Sequence, residues 1–304
     1  MKAPCHARGA GLTYALGAYA LWGIVPVYFK WLSDVPPVEI VAQRIVWTVP
    51  LLTAMLVLRR QTREFAALLR NPALLRNLFL SASLIGTNWL AFIWAVNSGH
   101  ILATSIAYYI NPLVTVLLGR IFLAERLNHN QMLAVAVAAI GVALLAADAV
   151  DTLWVSLFLA GSFAGYGLIR KVTPVGSVPG LAMETLMLAP LALVAAGYHV
   201  VTDAAHGFGS GMEISLLLTA AGVVTAVPLL MFATAARRMS LTAMGFCQYL
   251  APSITFCLGV FVYGEPMNAA RLASFALIWV SIAIFSVDAL ATLRRARRSA
   301  GQAL

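Results

Sequence analysis

YYINPLVTVLLG (108–119) and QYLAPSITFCLG (248–259) are near-copies of one another, set 140 residues apart. Each runs on without a gap through a glutamate (Glu125, Glu265) and an asparagine (Asn128, Asn268) into a further apolar run. The same offset pairs Lys30 with Arg170, Arg44 with Glu184, Pro50 with Pro190 and Phe92 with Phe232. A period this long is no solenoid repeat, whose units run to roughly 20–50 residues. In an apolar chain it points to two halves related by duplication, with whatever they bind held at the interface between them.

The chain is apolar throughout. Hydrophobic residues make up 62% and charged residues 10%, where a soluble domain carries about 25% charged; the mean hydropathy is +0.89. Runs of ~20 apolar residues are long enough to cross a ~30 Å hydrocarbon core as helices. Ten can be read, near 11–31, 38–58, 74–96, 101–122, 129–147, 152–170, 180–201, 213–236, 241–262 and 267–288. They divide into a first repeat over 10–147, a second over 152–288 and a basic tail over 289–304. Five crossings per copy is an odd number, so the second copy stands upside down relative to the first. The expected fold is an all-α membrane protein of ten transmembrane helices in two inverted five-helix repeats.

Charge sets the orientation. The connections SDVPP, NSGH, DAVD, TDAAHGFGSGM and GEPM hold no Lys or Arg, whereas the alternate connections and both tails hold nearly all of them. By the positive-inside rule both termini are expected in the cytoplasm. The net charge of +9 thus reflects topology and not a nucleic-acid surface, with lipid headgroups as further contacts for the basic tail. Residues 1–31 are read as the first span and not as a signal peptide, because no small-residue cleavage site follows them. Cys5, Cys247 and Cys257 show no paired spacing, and neither GxxxxGK[ST] nor HExxH occurs, so no metal or cofactor is expected.

Within the spans, polar residues are expensive and therefore informative. Arg44 lies inside span two and Glu184 inside span seven, where a central charge costs ~2.5–3.5 kcal/mol on insertion scales. They are repeat-equivalent and opposite in sign, so an intramembrane Arg44–Glu184 pair across the two halves is expected. Locking the halves, reading substrate charge and coupling to protons are all roles open to it. In span four, Thr104, Tyr108, Asn111 and Thr115 share one helical face, echoed in span nine by Met244, Gln248, Ala251 and Thr255. Pro112 and Pro252 each remove a backbone donor and free the carbonyl of Tyr108 or Gln248, so both are expected to break their helices beside a wet cavity. Asn88, Tyr108, Asn111, Gln248, Tyr249 and Trp22 are the candidate cavity residues. Trp94 reads as an interfacial anchor and His100 as a loop residue, and Gly161 and Gly165 as places of close helix contact.

Taken in order, WGIVPVYFK (22–30), NWLAFIWAVNSGH (88–100), YYINPL (108–113), GLIRK (167–171), VVTAVPLLMF (223–232) and FALIWVSIAIFSVDA (275–289) resemble the RarD family. These are EamA-type permeases of the drug/metabolite transporter superfamily, and the likeness covers about residues 10–290. It implies a multi-pass protein of the bacterial inner membrane. It also implies a central cavity lined chiefly by spans one, three, four, six, eight and nine, with five and ten peripheral and Arg44 and Glu184 near the rim. Family members usually carry a glutamate where this chain has Ala103, and often a histidine where it has Gln43. The implied activity is secondary transport of a small metabolite or drug-like molecule by alternating access, with export favoured. A membrane-embedded lipid-modifying enzyme and a substrate sensor are the alternatives. The first needs converging acid, base or metal groups that the sequence does not offer, so no enzyme is expected. The expected partners are a small-molecule substrate and membrane lipids, and a homodimer is one assembly open to the chain.

Overall fold

The computed structural model describes residues 5–202, 207–264 and 269–301, and all regular structure among them is helical. In chain order the helices are α1 (Cys5–Lys30), α2 (Pro37–Leu58), a short α3 (Thr62–Leu68), α4 (Pro72–Asn97), α5 (Ile101–Phe122) and α6 (His129–Ala146). A 3-10 turn (Ala147–Thr152) leads to α7 (Leu153–Val172), α8 (Ser177–Thr202), α9 (Met212–Arg238), α10 (Leu241–Gln248) and α11 (Leu250–Cys257). A π-turn (Leu258–Val262) and α12 (Ala269–Gly301) complete the chain. Among the described residues, ten helical segments are long and apolar enough to cross a membrane, with α10, α11 and the π-turn together forming the ninth.

Local chemistry sets the ends. Pro37 and Pro72 open α2 and α4, where the missing proline N–H would have had no partner anyway. The Asn71 side chain accepts from the Leu74 N–H, and Asn128 and Gln131 form a reciprocal capping box at the start of α6. After α4 the chain turns through Gly99 at φ 78°, with His100 N–H on the Ala95 carbonyl and Gly99 N–H on that of Val96. That left-handed turn closes the helix and is open to glycine at little strain. Large apolar side chains such as Leu191, Val194, Val201 and Phe261 stay exposed on the outer faces, as hydrocarbon surroundings permit.

Packing follows the duplication. α1 packs on α9, and its counterpart pair α7 and α4 packs likewise; α5 lies on α7, as α10 and α11 lie on α1. The self-paired contacts α2 with α8, α5 with α10, and α6 with α12 lie where a two-fold axis in the membrane plane would pass. At the crossing of α5 and α10, Gly245 approaches the Pro112 carbonyl so closely that a Cβ there would sit 2.8 Å from its oxygen. The main core joins Tyr19, Leu52, Ile85, Tyr166, Leu181 and Phe232. α6 and α12 share a separate outer cluster around Ala134, Ala138 and Ile278.

The two prolines behave differently. α5 runs unbroken through Pro112, whereas the ninth span is interrupted at Tyr249, three residues before Pro252, and loosens again in the π-turn. The expectation of two breaks is corrected to one. A proline deletes a single i→i−4 bond, and whether the helix parts depends on what grips it on either side. α5 is held along its length by α7 and crossed by α10 at the proline. Glu125 fastens the start of α10 by accepting from the Leu241 and Thr242 N–H groups at 2.8 and 2.9 Å and from the Thr242 hydroxyl at 2.7 Å. Its repeat partner Glu265 lies outside the described residues, as does Asn268. Glu125→Ala is expected to lower stability by about 1–2 kcal/mol through loss of this cap, read as a lower unfolding temperature of the detergent-purified protein.

Candidate functional site

Five helices meet at Arg44. Its Nε donates to the Thr225 hydroxyl of α9 at 2.7 Å. The guanidinium carbon lies 5.5 Å from the Phe29 ring of α1 and 5.2 Å from the Trp89 ring of α4, both within cation–π range. Tyr28 of α1 and Tyr108 of α5 are close enough to act electrostatically on its charge. The Thr48 hydroxyl, one turn along α2, bonds to the carbonyls of Arg44 at 2.6 Å and of Gly222 at 3.2 Å. α2 and α9 can come this close because Gly222 has no side chain: a Cβ there would stand 2.7 Å from the Trp47 carbonyl carbon.

Glu184 has another partner. It pairs with Arg170 of α7 at 3.5 Å, both side chains being about 1% exposed or little more. The Ser81 hydroxyl of α4 donates to one carboxylate oxygen, and the Tyr166 hydroxyl lies 3.4 Å from the other. The Arg170 guanidinium rests over Gly180, where any Cβ would collide with it. The expected Arg44–Glu184 pair is thus corrected to Arg170–Glu184. The helix contacts supply the physical reason: Arg170 of α7 reaches within 3.5 Å of Glu184, whereas Arg44 is held by Thr225, Phe29 and Trp89. A narrow cleft is lined among others by Ile45, Thr48, Trp89, Glu184, Thr185 and Thr225. Spans two and seven therefore line it together with three, six and eight, with Glu184 in the lining and Arg44 beside it, next to Ile45 and bonded to Thr225.

A second polar cluster lies where spans one, four and nine meet. The Thr115 hydroxyl donates to Gln248 Oε1 at 3.2 Å, and the Tyr19 hydroxyl faces Gln248. Asn111 stands one turn before Thr115 on the same face of α5. Asn111 Oδ1, Gln248 Nε2 and the Tyr19 hydroxyl are all buried without a hydrogen-bond partner. Buried polar atoms are nearly always bonded, and each one left unmet costs ~1–3 kcal/mol. Tyr108, on the adjoining turn, is 53% exposed. Trp22 sits half-buried within 5.5–5.7 Å of the Tyr19, Phe163 and Phe232 rings, flanking the cluster from α1.

Two expected cavity residues point elsewhere. Tyr249 is 1% exposed and belongs to the outer cluster with Phe246, Ala134 and Ile278, because one residue along a helix from Gln248 is a turn of about 100°. The Asn88 amide donates to the Leu159 carbonyl at 2.8 Å and the Ser162 hydroxyl at 2.9 Å, tying α4 to α7. Its neighbour Trp89 faces the cleft instead. Ala103 is sealed against α4 and α7, and its carbonyl accepts from the Ser156 hydroxyl at 2.7 Å. His100 stacks on the exposed Trp94 at 5.3 Å. Of the two glycines expected at close contacts, a Cβ at Gly165 would stand 3.3 Å from Leu84, and one at Gly161 would meet nothing within 4 Å. Thr225 and Tyr19 give no signal in the sequence, and Arg170 stands there only as the repeat partner of Lys30. The 14-residue interval shared by Lys30–Arg44 and Arg170–Glu184 was the signal that could have exposed the true pair.

Residues 9–147 match the EamA-like transporter family. Protein RarD of Salmonella typhi is 44% identical over 285 residues, covering 94% of this chain and 97% of the relative. This chain belongs to the RarD family of EamA-like transporters. An uncharacterized transporter of Vibrio cholerae is 43% identical, covering 95% of this chain and 96% of its own. The chloramphenicol-sensitive protein RarD of Pseudomonas aeruginosa is 31% identical, covering 95% and 98%. A solved crystal structure, 18% identical and covering 91% of this chain and 97% of its own, superposes with a TM-score of 0.69 and shares the fold. The ten apolar helices of this RarD-family protein make it a multi-pass membrane transporter.

Proposed function

We propose that this RarD-family protein is a secondary transporter of the bacterial inner membrane, carrying a small metabolite through a central site by alternating access. Both termini lie in the cytoplasm, residues 10–147 and 152–288 are the two inverted copies, and 289–304 form a basic cytoplasmic tail. Export is the favoured direction on family grounds. One observation carries the reading: Tyr19, Asn111 and Gln248 present three buried, unbonded polar atoms where spans from both copies meet. Groups left without protein partners in a hydrophobic interior are available to a polar ligand or water, and inverted repeats place substrate sites at such junctions.

Asn111→Ala is expected to reduce efflux of a preloaded mixture of small organic acids, amides and amines from proteoliposomes by about tenfold, the loss of roughly one hydrogen bond. Membrane insertion and unfolding temperature should stay near those of the parent protein. Unchanged efflux would remove Asn111 from the site.

A further inference from the structure

The duplication leaves a charge unanswered. In the second copy, Arg170 and Glu184 close on each other at 3.5 Å. The repeat-equivalent positions in the first copy are Lys30 and Arg44, both cations, which cannot pair. Lys30 turns away to lie 3.8 Å over the Tyr263 ring. Arg44 makes one hydrogen bond, from Nε to Thr225. Its two terminal nitrogens have no hydrogen-bond partner and no carboxylate among the described residues, and the side chain stays partly accessible. The acid on the same helix, Glu39, accepts from the Phe208 N–H at 2.7 Å through Oε1, and its Oε2, though unbonded, makes no ion pair with Arg44. What remains is a planar, permanently charged fork with its donors free, fixed from behind by Thr225 and from the sides by Phe29 and Trp89.

We infer that Arg44 binds the anionic group of the transported molecule, so that the substrate class is small organic anions, carboxylates or phosphate monoesters. The inference rests on the transport reading above and narrows it. A guanidinium fork matches the two oxygens of such a group with paired, charge-assisted hydrogen bonds. A neutral amide of the same shape offers one acceptor oxygen and no charge. An amine is repelled. Glu184 stays outside the recognition, because Arg170 already neutralises it. A carboxylate or phosphate in this place completes in the first copy the charge balance that Glu184 supplies in the second.

The test uses the full chain in phosphatidylcholine proteoliposomes loaded with equal amounts of small carboxylates, phosphate monoesters, their neutral amides and matching amines, with efflux read by mass spectrometry. The acids should leave about 10- to 100-fold faster than the amides and amines. Arg44→Gln should abolish that preference, and Arg44→Lys, which keeps the charge without the fork, should restore part of it. In parallel, the same acids should raise the unfolding temperature of the detergent-solubilised protein but not of Arg44→Gln. Acid-selective stabilisation without efflux would sustain the Arg44 site and overturn the transport reading. Efflux of amides or amines as fast as acids would do the reverse, as would acid selectivity that survives in Arg44→Gln. Adding phosphatidylglycerol should leave acid efflux unchanged. If it abolishes the effect of the acids, the fork holds a lipid headgroup and the inference fails.

Discussion

Glu184→Ala is expected to destabilise the protein by about 3–5 kcal/mol, because it strands the Arg170 charge in the bundle interior. Arg170 is 1% exposed, and its Nε, Nη1 and Nη2 atoms make no hydrogen bonds. The carboxylate 3.5 Å away is therefore its principal compensation. Neither water nor a rearranged acceptor can take over, since Gly180 lies directly against the guanidinium. Removing both charges together should be much milder. Arg170→Met with Glu184→Leu is expected to recover most of the lost unfolding temperature, as buried ion pairs replaced by apolar groups often do. Thermal unfolding in detergent of the two single variants and the double variant measures the coupling. A single variant as stable as the parent would show that the pair contributes nothing to holding α7 and α8 together.

Gly222→Leu has the next largest expected effect, and it reaches the site through packing. The missing side chain lets α9 approach the α2 backbone at Trp47, with prospective Cβ contacts of 2.7–2.9 Å to three Trp47 atoms. Two of these are main-chain atoms, so a rotamer change cannot relieve the clash and the helices must move apart. One turn along α9 is Thr225, which holds Arg44. The expected outcome is a loss of about 2–3 kcal/mol of stability, together with loss of acid efflux in the same proteoliposomes. A variant that keeps its unfolding temperature and its efflux would mean that α2 and α9 need not touch at this level.

What was legible in the sequence follows from the solvent. In hydrocarbon every backbone group must be bonded within its own helix, so length and apolarity alone fix ten spans. The polar stripe was legible for the same reason: Tyr108, Asn111 and Thr115 stand on one face of α5, a matter of helical period alone.

Partners across helices were not legible. Whether Glu184 meets Arg44 or Arg170 depends on depth and on which helices touch, and repeat symmetry by itself favoured the wrong one. Glu184 meets Arg170 of its own half and Ser81 of the other, and Arg44 meets Thr225 across the halves, so partners follow from which helices touch and not from repeat equivalence. Tyr249 and Asn88 failed as cavity residues on a finer scale, since a rotation of one residue carries a side chain from the cleft into a neighbouring helix. The sequence by itself determined the helices and their number. Only the tertiary structure decided that Glu184 is neutralised and Arg44 is left open, because charge compensation depends on distances of a few ångströms between helices that lie far apart along the chain.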